Sequence, residues 1–232
     1  MAAGLGTRLR PHTLATPKPL LPVAGRPILE WNIAELPSSI GEVILVVGYL
    51  KNKIVAHFGD AWRGRKIVYV EQRELLGTGH AVHCCRDLVD EHFLVLNGDD
   101  LYAGEDLQKL IGNDLAILAK PSEISGRFGA LRTDGHDRLI EIAENSEAPT
   151  GSLVNTGAYA LDRNFFDYPL APIKDGREFG LPQTLVRVSA DHPVRIVRAG
   201  FWLPIGYPED LAKAGKILKE REASSRTGRP PL

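Results

Sequence analysis

His92-Phe-Leu-Val-Leu-Asn-Gly-Asp-Asp100 is the stretch that decides how this chain folds. Its front half is a short apolar run of the length and composition of a buried strand, and it stops at Asn-Gly-Asp, residues that turn readily. Upstream, Glu42-Val-Ile-Leu-Val-Val47 and Lys66-Ile-Val-Tyr-Val-Glu71 have the same character, and Asp114–Ala119 follows downstream. Between these runs lie amphipathic stretches over Lys51–Phe58, Gly79–Val89 and Glu105–Ile111. Strands alternating with helices predict an α/β fold with a mostly parallel mixed sheet flanked by helices on both faces. Ligands of such sheets bind beyond the carboxyl ends of the strands.

The pattern changes after Lys120. Gly129–Thr133, Arg138–Ala143 and Leu153–Leu161 are strand-like and closely spaced, with Asp134-Gly135 as a turn signal between the first two. They predict a small antiparallel insertion lying over the sheet. A helix over Leu181–Ala190, a strand over Val194–Arg198 and a closing helix over Pro208–Glu222 complete a single domain spanning residues 1–222. Ala223–Leu232, polar and ending in Arg-Pro-Pro-Leu, reads as a disordered tail.

With 232 residues and 44% hydrophobic residues, the chain is long enough and apolar enough for one sizeable core. A formal net charge of −1 argues against a nucleic-acid surface, so a phosphate site must be a local cluster of cations. No apolar run approaches the length of a membrane span, which with the absence of a signal-peptide layout predicts a cytoplasmic protein. Cys84 and Cys85 are adjacent, with no disulfide framework and no zinc-like spacing, and read as reduced thiols. No internal repeat is visible.

Candidate chemistry begins at the first residues, Met1-Ala-Ala-Gly-Leu-Gly-Thr-Arg-Leu-Arg-Pro-His-Thr-Leu-Ala-Thr-Pro-Lys-Pro-Leu-Leu-Pro22. Gly4 and Gly6 let the backbone turn its N–H groups toward an anion, Arg8 offers a planar fork to phosphate oxygens, and Lys18 supplies a point charge. A second group is Asn97-Gly-Asp-Asp100. A carboxylate at a strand's end can reach a magnesium ion that is also held by substrate phosphates, and the same residues also make an ordinary turn. Third, Gln72 follows a strand and carries a donor and an acceptor side by side, as an imide base edge requires. Gly77 and Gly79 open the next helix, either as a close approach for a ligand or as a plain glycine-rich helix entry. His80 there reads as a packing or capping residue. Last come Glu144 and Asn155-Thr-Gly157, a carboxylate and a carboxamide suited to sugar hydroxyls.

Ala2-Ala-Gly-Leu-Gly-Thr-Arg-Leu-Arg-Pro11, Thr16-Pro-Lys-Pro-Leu20, Leu76-Gly-Thr-Gly79, Asn97-Gly-Asp99 and Asn155-Thr-Gly157 occur in the order and at the separations of the sugar-1-phosphate nucleotidyltransferases, the family this chain resembles. The resemblance implies a Rossmann-like domain that transfers a nucleotidyl group from a nucleoside triphosphate to a hexose 1-phosphate, releasing pyrophosphate with Mg²⁺ as cofactor. By the same resemblance Ala3, Gly4, Gly6 and Thr7 cradle the nucleotide, and Gln72, Gly77 and Thr78 surround its base, with UTP or dTTP favoured. Arg8 and Lys18 hold the phosphates, Asp99 holds the metal, and Gly129, Glu144 and Asn155 position the sugar.

Three departures bear on these expectations. Many relatives have Glu-Lys-Pro where this chain reads Glu144-Asn145-Ser146, and a metal-binding aspartate where it reads Pro204 in Trp202-Leu-Pro-Ile-Gly206. Asp100 is then the nearest substitute carboxylate. Relatives also carry a central apolar strand before Ala-Ala-Gly, so the first central strand is expected to be missing and Met1 to be an internal methionine of a longer protein. The rival readings are a non-catalytic nucleotide-sugar sensor and a transferase acting on a non-sugar phosphate. Oligomeric state is not legible in the sequence.

Overall fold

The structure, a computed structural model, describes residues 1–122, 128–143 and 149–227. Three single turns of 3-10 helix, Thr7–Leu9, His12–Leu14 and Lys18–Leu20, carry the glycine-rich start. A tight ladder of β1 (Pro22–Val23) and β2 (Arg26–Pro27) leads into helix α1 (Ile28–Glu35). Strand β3 (Glu42–Val47), helix α2 (Lys51–Phe58), β4 (Ala61–Trp62), β5 (Arg65–Glu71) and helix α3 (Gly77–His83) form the first α/β layer. The chain continues through β6 (His92–Leu96), β7 (Asp100–Tyr102), α4 (Gly104–Leu110) and β8 (Ala116–Pro121). Then come β9 (Ala130–Thr133), β10 (Leu139–Ala143), β11 (Leu153–Asp162), β12 (Ala171–Ile173) and β13 (Glu178–Gly180). Helix α5 (Leu181–Val188), β14 (Arg195–Arg198), β15 (Trp202–Pro204) and helix α6 (Pro208–Thr227) close the order.

The long apolar runs became strands because each can be buried on both faces. In β8, Ala116, Ile117, Leu118 and Ala119 are fully buried, between a cluster around Leu161, Phe165, Leu181 and Leu185 and another around Leu107, Leu110 and Trp202. Strands β3 and β5 pair in parallel from Glu42–Lys66 to Val47–Glu71. A six-stranded sheet runs β10-β9-β11-β8-β14, with β6 on the other part of β11. Strand β11 is antiparallel to β6 and β8, and β14 is parallel to β8, so the architecture is mixed α/β with flanking helices.

Some boundaries differ from the sequence reading. The β9–β10 hairpin is hydrogen-bonded into the main sheet, through Val154 opposite Ala130, and so extends that sheet. Helix α3 stops at His83, several residues before Val89, as the chain tightens into turns at Cys84–Val89. Helix α6 runs on to Thr227, into the stretch read as a disordered tail, because nothing before Gly228 breaks a helix. Strands β7, β12, β13 and β15 are too short to show periodicity and were not foreseen.

Between β3 and β6 the sheet is split by a slot of about 400 Å³. Its walls are Glu42–Val46 on one side and His92–Leu96 on the other. Met1 and Ala2 stop its upper end in the position of a strand: Ala2 N–H donates to Val46 at 2.7 Å, the Met1 ammonium to Leu96 at 2.7 Å, and Gly98 N–H to the Met1 carbonyl at 2.8 Å. Among the described residues no strand lies between the two walls below that point. Val43, Ile44, Phe93 and Leu94 on these walls are only partly buried, so the slot leaves apolar strand faces uncovered.

Candidate active site

Parallel registration carries three loops to one edge. Ala2 bridges Val47, Val47 pairs with Glu71, and the Gln72 N–H donates to the Val47 carbonyl at 2.8 Å. Asn97–Asp99 follows β6, with Gly98 tied to Met1. The glycine loop, Gln72 and Asp99 therefore all stand at the carboxyl ends of strands, as the α/β reading requires.

A polar cleft of about 190 Å³ opens at this edge, and Arg8, Lys18, Asp99, Asp100, Asn155 and Pro204 all line it. Lys18 is mostly buried, and its Nζ donates to Asp99 Oδ2 at 2.5 Å. Gly6 makes that approach possible. Its φ is +62°, and a side chain there would meet Thr13 Cγ2 at 2.9 Å and Lys18 Cβ at 3.2 Å. Thr13 Oγ1 in turn donates to the Gly6 carbonyl at 2.8 Å, fixing the loop over the lysine. Arg8 is exposed at the rim.

Asp100 is buried directly opposite Pro204 in the β7–β15 ladder. Burial first, and the neighbouring Asp99 charge second, push its carboxyl up to about 7. Lys18 opposes that shift, as do the donors that hold Asp100, Trp202 Nε1 and Ile205 N–H, each at 3.3 Å. The substitute carboxylate thus braces the strand that carries Pro204. Asp106 braces the same segment from behind, accepting from Gly200 and Phe201 N–H at 2.8 and 2.9 Å.

Other expected site residues are placed differently. Gln72 is buried, and its Nε2 donates to the Gly77 carbonyl at 2.9 Å and lies 3.1 Å from His80 Nδ1, so the amide shapes the turn entering α3. Gly77, with φ of +90°, does admit a close approach, and what approaches is Phe179 of the β12–β13 hairpin, whose carbonyl would lie 2.5 Å from an added Cβ. Thr78 Oγ1 accepts from Leu181 N–H at 3.0 Å, tying α3 to the start of α5. Gly4 and Thr7 are exposed, and Ala3 is buried with its carbonyl accepting from Tyr49 N–H. Asn155 lines the cleft, though its amide is engaged internally, with Tyr159 Oη at 2.7 Å and Gly157 N–H at 2.8 Å. Gly129 is buried, and its carbonyl accepts from Asn155 N–H. Glu144 and Asn145 lie outside the described residues. Thr156, Trp202 and Gly206, from the Asn155-Thr-Gly157 and Trp202–Gly206 stretches, also line the cleft, as does Phe128, which escaped the sequence reading because a single loop residue carries no periodic signal.

Among the described residues no three His, Cys, Asp or Glu side chains gather into a metal cage. A partly exposed Asp99 facing a polar cleft instead fits magnesium, which takes one or two carboxylates and completes its shell with water and phosphate. No described helix is long and apolar enough to cross a membrane.

The carboxyl edge of this α/β sheet gathers Arg8, Lys18, Asp99 and Asp100 around a polar cleft, the place where α/β proteins as a class bind their ligands. Comparison with known proteins narrows the class: residues 1–221 match the nucleotidyl transferase family, and the chain belongs to it. It is 34% identical over 223 residues to the bifunctional protein GlmU of Methanocaldococcus jannaschii, covering 95% of this chain and 54% of that one. The chain therefore spans about half the length of the GlmU relatives it matches. It is 33% identical to the UTP–glucose-1-phosphate uridylyltransferase AglF of Haloferax volcanii, covering 95% of each. Mannose-1-phosphate guanylyltransferase of Mycobacterium tuberculosis is also 33% identical, covering 94% of this chain and 63% of the relative. A Bacillus anthracis protein described as a glucose-1-phosphate thymidylyltransferase, in complex with a sucrose, superposes with a TM-score of 0.84 at 23% identity, over 94% of this chain and 93% of that one. That likeness speaks for the fold.

Proposed function

We propose that this chain transfers a nucleotidyl group from a nucleoside triphosphate, UTP or dTTP, to a hexose 1-phosphate. A phosphate oxygen of the sugar phosphate attacks the α-phosphorus in line, the bond to the bridging oxygen breaks, and pyrophosphate leaves. No covalent enzyme intermediate is needed, so the protein contributes positioning and charge. The observation that carries this reading is the meeting of Lys18 with Asp99 in a cleft whose rim holds Arg8. In this reading Lys18 contacts the phosphates around the reacting centre and Arg8 the departing pyrophosphate. Asp99, with water and phosphate oxygens, would hold Mg²⁺, which when bound neutralises triphosphate charge.

The base assignment rests on the uridylyltransferase relative. The guanylyltransferase relative makes GTP the competing outcome. Pro204 and the engaged Asp100 favour a second reading, a sensor that binds nucleotide sugar without turnover. Pyrophosphate release measured over a panel of triphosphates and sugar 1-phosphates, and non-sugar phosphates, decides among them. Turnover with UTP or dTTP and a hexose 1-phosphate is expected. Tight binding of a nucleotide sugar with no release in any combination would replace the enzyme with the sensor.

A further inference from the structure

Arg8 and Lys18 are held by opposite means. Lys18 rests on a carboxylate, whereas the Arg8 guanidinium lies 5.3 Å from the centre of the Tyr207 ring. That distance is within the range in which an aromatic face attracts a cation. Tyr207 is itself anchored: Gly206 and Tyr207 N–H donate to Asp210 Oδ2 at 2.8 and 2.9 Å, in the first turn of α6. One residue earlier, Ile205 N–H donates to the buried Asp100. The segment leading to the ring is pinned on both sides, and Gly206 within it lines the cleft beside Arg8.

We propose that Tyr207 is a positioning residue that holds the Arg8 guanidinium over the cleft, ready for the pyrophosphate group of the triphosphate. The inference rests on the role given to Arg8 above. Its physical basis is the difference between a ring and a carboxylate as a partner. A carboxylate would cancel the arginine's charge and occupy part of its donor fork. An aromatic face restricts the side chain while leaving the charge and the in-plane N–H donors for phosphate oxygens. The chain Asp210–Tyr207–Arg8 thereby makes the start of α6 part of the leaving-group site.

Binding of inorganic pyrophosphate with Mg²⁺, followed by calorimetry, tests this without knowledge of base or sugar, and steady-state turnover supplies the second readout. Y207L should weaken pyrophosphate binding on the order of twofold to fivefold, the scale of one exposed cation–π contact. Y207F, which keeps the ring, should restore wild-type binding. In an R8A background Y207L should add nothing, and its melting temperature should stay near that of wild type. Wild-type binding by Y207L while R8A binds weakly would overturn the role of Tyr207 and leave that of Arg8 standing. An equal loss from Y207L with and without Arg8 would also overturn it, because the ring would then act by another route. Wild-type binding by R8A would remove the Arg8 reading and this inference with it.

Discussion

Lys18 Nζ donates to Asp99 Oδ2 at 2.5 Å, joining residues 81 positions apart at the cleft floor. On the roles proposed for them, each partner occupies the group that the other's ligand would need: the lysine covers the carboxylate that would take magnesium, and the carboxylate neutralises the cation that would take phosphate. A magnesium ion at Asp99 would free Lys18 for phosphate, so the two ligands should bind with positive coupling, equal in both directions.

K18M should accordingly bind Mg²⁺ alone more tightly than wild type while turning over at least ~10²-fold more slowly, the usual scale for losing one preorganised donor to a reacting phosphate. Stability should change by only about 1 kcal/mol, because Asp99 is 38% exposed and remains hydrated. Magnesium titration of the free protein checks this; weaker binding by K18M would remove the competition argument.

Gly77→Ala should be strongly destabilising. The position needs φ of +90°, and the new methyl would meet the Phe179 carbonyl at 2.5 Å and its N at 2.8 Å. Backbone strain and overpacking together should cost about 2–4 kcal/mol in urea unfolding. Gly4→Ala, with nothing near its added Cβ, serves as the comparison, and a similar loss there would show that packing of the hairpin is not the cause.

An apolar extension joined to Met1, long enough to lie between Glu42–Val46 and His92–Leu96, should fill the slot as a strand parallel to β3. It would also replace the Met1 ammonium, whose pKa burial lowers, with a neutral amide. The melting temperature should rise by more than about 5 °C, since each kcal/mol is worth about 2–4 °C in a domain of this size. An extension of equal length interrupted by prolines cannot pair and should give no such rise; equal effects from both would refute strand insertion.

Asp100 should impose a pH dependence of opposite sign to that of most carboxylates. Its folded pKa, raised to about 7, exceeds the unfolded value of 3.8, so the folded state binds more protons between those limits. Stability contributed by Asp100 is complete below pH 4 and lost as pH rises toward 7. Asp100→Asn removes the titration and should flatten that part of the stability profile, with the metal-free protein followed by thermal melts from pH 4 to 8. An unchanged slope in the variant would assign the pH dependence to another group.

The strands that read most clearly were the longer apolar runs between turn signals. Glu42–Val47 was expected and found with the same bounds, and β6 and β11 were placed to within a residue. The cations and Asp99 were legible too, since few residue types suit polyphosphate and these stand beside glycines and strand ends. The environments of Gln72, Thr78 and Asn155 were not. Each is a polar side chain engaged by backbone or hydroxyl groups, and for Thr78 the partner is Leu181, 103 residues away.

By itself, the sequence determined the alternation of strand and helix and the sheet edge at which the glycine loop, Lys18 and Asp99 meet. These follow from local composition and period, which act over a few residues. Only the tertiary structure decided that Lys18 rests on Asp99, that Asp100 accepts from Trp202, and that a tyrosine just before the last helix faces Arg8. It also gave the gap between β3 and β6 its shape. Such pairings arise when distant segments are packed into one volume and each buried polar group must find a partner there, a condition that no local pattern encodes.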